Sequence, residues 1–206
     1  SDGAATWQLL DARGIADRQC KDTLAFTDPS HGYITAGDVN GPPIIYRTSD
    51  GGLTWTASTP LPDPPGFTTV GAGVTLRAGP VANFGSSLFV DGTGYGGGRE
   101  VNYIYQSSDG GATWSHSATA PQDGVTAVFL TPSRWIQLVF GDLSRETTDG
   151  GRTWHTLATD YSQAAPYGPQ VAFGDGARGY ATTRGGIQRT SDGGLHWAYI
   201  KTPGTQ

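Results

Sequence analysis

The stretch Ser49-Asp50-Gly51-Gly52-Leu53-Thr54-Trp55 decides how this chain of 206 residues is read, because close copies of it recur along the sequence. The copies are Ser108-Asp109-Gly110-Gly111-Ala112-Thr113-Trp114, Thr148-Asp149-Gly150-Gly151-Arg152-Thr153-Trp154 and Ser191-Asp192-Gly193-Gly194-Leu195-His196-Trp197, with a weaker one at Ser1-Asp2-Gly3-Ala4-Ala5-Thr6-Trp7. An Asp side chain accepts hydrogen bonds from the backbone N–H groups just after it, and paired glycines supply the positive φ that a tight reversal needs. Each copy is therefore a turn. Before the first copy, Ile44-Ile45-Tyr46-Arg47-Thr48 is β-branched or aromatic; after it, Thr54-Trp55-Thr56-Ala57 alternates as a half-buried strand does. Each unit is a hairpin. The Trp opening its second strand is able to bury ~150–250 Å² and to cap the gap to the next hairpin.

The full pattern Ser/Thr-x-Asp-Gly-Gly-x-Thr-Trp resembles the Asp-box, or bacterial neuraminidase repeat, of β-propellers. The resemblance implies that each box joins the third and fourth strands of a blade, on the face away from the usual ligand site. On that reading Asp50, Trp55, Asp109, Trp114, Asp149, Trp154, Asp192 and Trp197 fasten blades and carry no chemistry.

The motif Trp residues at 7, 55, 114, 154 and 197 are 48, 59, 40 and 43 residues apart, which is the range of propeller blades. Between boxes lies a second pattern, an apolar strand, a polar turn and an aromatic-led strand. It appears as Leu24-Ala25-Phe26 with Gly32-Tyr33-Ile34-Thr35, as Val128-Phe129-Leu130 with Trp135-Ile136-Gln137, and as Val171-Ala172-Phe173 with Gly179-Tyr180-Ala181-Thr182. The predicted fold is an all-β propeller of four-stranded antiparallel blades, with four complete repeats at about 11–59, 60–118, 119–158 and 159–202. Thr6 to Leu10 is an orphan outer strand. Either the ring has four blades and a spare strand, or it belongs to a larger ring completed by other residues or subunits; the second is the expectation, and it carries a possibility of self-association. The phrase Gly179-Tyr180-Ala181-Thr182, followed by Gly186-Ile187-Gln188-Arg189-Thr190, is similar to the blades of the photosystem II stability and assembly factor family. That likeness implies an exported, non-catalytic propeller that binds or helps assemble another macromolecule.

Composition narrows the classes. Glycine is abundant, at 32 residues, and charged residues make up only 15%, as expected for short strands joined by tight turns and almost no helix. A net charge of −5, with Lys21 and Lys201 the only lysines and the arginines scattered, gives no basic stripe for nucleic acid. No run approaches the roughly 18 apolar residues of a membrane-spanning helix. The chain has no Met and begins inside a motif, which reads as a processed product that has lost an export signal, so an extracellular or periplasmic location is expected. The lone Cys20 is read as a small, buried or half-buried residue.

Any site is expected on the loops that enter each blade and join its second and third strands. Those loops carry Arg13, Arg18, Arg77, Arg99 and Arg184 with Asp38, Asp91, Glu100 and Asp142. The binding candidates are Tyr95, Arg99, Tyr161, Tyr167 and Arg184, facing a protein or a glycan. The competing class is a glycoside hydrolase, sialidase-like or other, using Glu100 and Asp142 beside Arg99. The Arg-Ile-Pro signature of sialidases is absent. The loop Asp91 to Glu100 is glycine-rich but precedes a strand, so it is no phosphate cradle. Neither a cofactor nor a metal site is expected: His31, His116, His155 and His196 fall in separate repeats or turns, without ligand spacing.

Overall fold

A computed structural model describes residues 5–7, 13–38, 41–67, 76–96, 98–162 and 168–201. It is an all-β propeller. Four antiparallel sheets follow one another along the chain, each a meander in which successive strands pair. The first blade holds β1 (Cys20–Phe26), β2 (Gly32–Asp38), β3 (Gly41–Thr48) and β4 (Thr56–Ala57). The second holds β5 (Arg77–Ala78), β6 (Ala82–Phe84), β7 (Ser87–Gly96), β8 (Arg99–Ser107) and β9 (Ser115–Thr119). The third contains β10 (Val128–Phe129), β11 (Trp135–Gln137), β12 (Arg145–Thr147) and β13 (His155–Thr156); the fourth contains β14 (Val171–Phe173), β15 (Gly179–Thr183), β16 (Gly186–Thr190) and β17 (Ala198–Tyr199).

Blade 2 departs from four strands because β5 and β6 both pair with β7, on either side of Gly79 and Pro80. The stretch from Asp91 to Glu100, expected as a loop, is instead the end of a long hairpin in register from Leu88↔Ser107 to Gly96↔Arg99. The Pro-rich segment after blade 1 is packed rather than loose: Leu61 is buried, its N–H donates to the Pro43 carbonyl at 2.9 Å, and Tyr105 Oη donates to the Pro62 carbonyl at 2.9 Å. Cys20, expected to be buried or half-buried, is exposed at the start of β1. Of the orphan strand, Thr6 and Trp7 are not in a strand and Trp7 is exposed, while residues 8 to 10 lie outside the described residues. The one helical turn among the described residues is a 3₁₀ turn, η1 (Gly141–Leu143).

The four boxes among the described residues are closed by one pattern of bonds. Asp50 Oδ1 accepts from Thr48 Oγ1 at 2.8 Å and from the Thr54 N–H at 2.9 Å, Oδ2 accepts from Thr54 Oγ1 at 2.5 Å, and the Gly52 N–H donates to Thr48 Oγ1 at 3.0 Å. The set repeats around Asp109 and Asp149. In the fourth blade His196 replaces the Thr, and its Nδ1 lies 2.6 Å from Asp192 Oδ2. These bonds favour the ionised carboxylate and hold Asp50, Asp149 and Asp192 at a pKa of about 2. Both box glycines have positive φ in all four blades.

Core residues bridge consecutive blades. Tyr33 and Ile45 of blade 1 pack with Leu88, Tyr103 and Trp114 of blade 2. Phe89 and Ile104 of blade 2 pack with Trp135 and Phe129 of blade 3, and Leu130 and Ile136 of blade 3 pack with Phe173 of blade 4.

Two predictions follow from the boxes. A Cβ on Gly110 would meet nothing within 4 Å, whereas one on Gly151 would lie 2.5 Å from Ala118 Cβ and 2.6 Å from the Trp135 ring. Gly110→Ala is therefore expected to cost only the ~1–2 kcal/mol of left-handed backbone, while Gly151→Ala adds a clash of about 1–3 kcal/mol; urea denaturation of both separates the two contributions. Because the native Asp149 carboxyl is depressed from 3.8 to about 2, its stabilisation is complete above pH ~4 and lost as pH falls through ~2. The melting-temperature gap between wild type and Asp149→Asn should be widest above pH ~4 and close toward pH ~2.

Candidate binding face

The β7–β8 hairpin carries the predicted site residues furthest from the body of blade 2. Two of its glycines permit close approaches: a Cβ on Gly94 would be 2.9 Å from the Phe67 ring, and one on Gly92 would be 3.0 Å from Tyr105 of the same hairpin. The bare Gly94 lets Phe67, after the Pro-rich segment, lie on the strand, edge-on to Tyr103 at 6.4 Å. At the hairpin's end Tyr95 is exposed and is the register partner of Glu100. Arg99, also exposed, places Nη1 3.4 Å from Asp123 Oδ2 on the segment entering blade 3. The Glu100 carboxylate lies beside Gly124 of that segment. Tyr95, Arg99, Glu100 and Asp123 thus form one exposed polar group across the blade 2–blade 3 boundary.

Gln137, on β11, holds the entering segment in place. Fully buried, it donates from Nε2 to the Gln122 and Val125 carbonyls at 3.0 and 2.5 Å and accepts from the Gln122 N–H at 2.9 Å. Gln122 in turn donates to the Leu143 carbonyl at 2.8 Å, tying in the η1 turn with Asp142. Sequence reasoning missed Gln137 and Asp123. The available signal was a lone Gln in the apolar run Trp135 to Val139, where an amide needs partners.

Asp91, placed by sequence on an open loop, is buried inside β7. Its Oδ2 accepts from the Ala127 N–H of blade 3, and Oδ1 accepts from Asn102 Nδ2 at 2.9 Å. Burial pushes its pKa up to about 7 against the opposing pull of those two bonds. It joins two blades and is not a surface carboxylate.

The remaining candidates do not converge on this group. Tyr161 is a core residue, with its ring 5.6 Å from Trp197 and its hydroxyl bonded to the Thr182 carbonyl; burial drives its pKa up to about 12. Arg184 is exposed in the β15–β16 turn of blade 4. Tyr167 lies outside the described residues, as does the side chain of Asp38. Arg13 sits against the first box, where its N–H donates to the Leu53 carbonyl at 3.1 Å, and not on the loop face. Among the described residues no hydrogen bond or ion pair joins Glu100 to Asp142, and no three His, Cys, Asp or Glu side chains group as metal ligands.

No family model matches the chain. It is 26% identical over 165 residues to the photosystem II assembly lipoprotein Ycf48 of Synechococcus sp. (strain CC9902), a match covering 78% of this chain and 43% of that protein. Its blades resemble those of the photosystem II assembly factor Ycf48. The fold agrees: a solved structure of YCF48 bound to D1 peptide superposes with a TM-score of 0.52 at 17% identity, covering 85% of this chain and 52% of that one. The chain spans about half the length of these Ycf48 relatives. The α-L-arabinofuranosidase of Fusarium graminearum gives a TM-score of 0.47 at 15% identity, covering 82% of this chain and 61% of that enzyme.

The protonation of Asp91 is testable. Native Asp91 keeps its proton up to about pH 7, whereas an unfolded Asp releases it near 3.8, so the native chain binds more protons between those values. Stability therefore falls as pH rises through that window, by on the order of 4 kcal/mol. Asp91→Asn should flatten this slope in urea midpoints followed from pH ~4.5 to ~8, while lowering stability at acid pH through a mismatched amide.

Proposed function

We propose that this chain is a non-catalytic, exported propeller that binds another protein and acts in its assembly. The supporting observation is the sequence relation to an assembly lipoprotein, whose solved namesake binds a peptide. The lipoprotein character of that relative supports an exported location. The group formed by Tyr95, Arg99, Glu100 and Asp123 is the contact surface of this reading: an exposed aromatic beside paired charges anchors a peptide and supplies hydrogen bonds to its backbone. Arg99 is exposed in its pairing with Asp123, so it exchanges that partner for a peptide group at little cost.

A glycoside hydrolase needs two carboxyl groups ~5–10 Å apart flanking the scissile bond, one with a raised pKa. Asp91 has a raised pKa, but its oxygens are occupied inside the sheet.

Titration of a fluorescent D1 peptide against the purified chain tests the proposal. Saturable binding is expected, weakened about tenfold or more by Tyr95→Ala or Arg99→Ala, with no turnover of aryl glycosides by the same preparation. Glycoside turnover abolished by Glu100→Gln, without peptide binding, overturns it.

A further inference from the structure

Strand register sets Tyr33, Arg47 and Thr56 side by side across β2, β3 and β4, Tyr33 opposite Arg47 and Arg47 opposite Thr56. Side chains of directly paired residues lie on the same face of a sheet, and here it is the face that packs on blade 2 through Tyr33. With His31, Ser49 and Thr54 the three line a cavity of about 370 Å³, whose opposite wall is Gly110 in the box of blade 2.

The corresponding boundary between blades 3 and 4 is closed. There Ile136 and Glu146 take the register positions of Tyr33 and Arg47. Glu146 holds Arg134 at 2.6 Å, and the guanidinium donates to the Gly193 carbonyl at 2.8 Å. A Cβ on Gly193 would collide with that guanidinium, whereas one on Gly110, at the same box position, would meet nothing within 4 Å. Between blades 2 and 3 the position of Tyr33 is taken by Phe89, which stacks on Phe129 with centroids 5.5 Å apart. Blade 1 has no acid opposite Tyr33 to draw an arginine across the gap. Arg47 stands there instead, with Nη1 3.4 Å from the carbonyls of Asp109 and Gly110, and the space stays open.

The lining opposes net charge of either sign. Asp28 holds His31 Nδ1 at 2.8 Å, Asp50 holds Thr48 and Thr54, and Asp109 precedes Gly110. Hydrogen bonds keep these three carboxyls ionised, which repels an anion, while Arg47 repels a cation. What the walls offer is a mixture of donors and acceptors. Arg47 supplies N–H groups, the Asp109 and Gly110 carbonyls supply acceptors, and the Ser49 and Thr56 hydroxyls bond to no other described residue. A sugar hydroxyl donates and accepts at once, so it uses such a mixture in full. The volume falls within the ~300–1,000 Å³ of small-ligand sites.

We propose that this cavity between blades 1 and 2 binds a neutral carbohydrate, with Arg47 as the anchoring donor and Ser49 and Thr56 as hydroxyl partners. The site shares no residue with the group of Tyr95, Arg99, Glu100 and Asp123, and it stands whether or not that group binds a peptide.

Titration of the ¹⁵N-labelled chain with maltose, cellobiose and lactose, followed by amide chemical shifts, tests this inference. Saturable shifts at Ser49, Thr56 and Gly110 are expected with at least one of the three sugars, and none at these amides with inorganic phosphate. Arg47→Met should raise the dissociation constant about tenfold and Thr56→Val about threefold. Arg47 is half-buried and Thr56 exposed, so both variants should keep the wild-type circular dichroism; should Arg47→Met fail to fold, Thr56→Val decides. Absence of shifts with all three sugars, shifts confined to residues outside the cavity, tighter binding of phosphate than of any sugar, or undiminished affinity in the folded variants overturns the proposal.

Discussion

The hydroxyl-to-carboxylate bond inside each box is the constraint on which the structure depends. A Ser or Thr at the end of one strand donates to an Asp two residues on, which in turn collects the N–H and side chain of the residue four further along. Closure of that ring fixes the direction of the returning strand and the place of the Trp. It also turns the box carbonyls outward, and those carbonyls are what the neighbouring blade recognises through Arg47 and Arg134. A local turn thus becomes the unit of long-range assembly.

Blades adhere through repeated positions filled by different chemistry. The slot occupied by Tyr33 at one boundary holds Phe89 and Ile136 at the next two, and box glycines yield the space beside Tyr33 and Ile136. Polar staples supplement these contacts where backbone groups would otherwise be stranded. Asp91 satisfies the Ala127 N–H across a boundary, and Gln137 satisfies three backbone groups of the segment entering its own blade. Such groups make the scaffold rigid beneath the exposed Tyr95, Arg99, Glu100 and Asp123. Rigid support with a solvated polar tip suits peptide contact better than chemistry that needs a dry, converging pair of acids.

Sequence alone determined the boxes, the four blades and the all-β class, because each rests on interactions within about eight residues: an Asp, two glycines, a hydroxyl and a Trp. It also named Tyr95, Arg99 and Glu100 as candidates on one hairpin. What it could not separate was exposure. Asp91 and Tyr161 look like loop residues by composition, yet one is buried between blades and the other in the core under Trp197. Their fate depends on segments far along the chain, Ala127 for the first and the Thr182 strand for the second. The pairing of Arg99 with Asp123 and the bracing by Gln137 were likewise decided only by tertiary structure, since local patterns acquire their environments from the segments and blades that come to stand beside them.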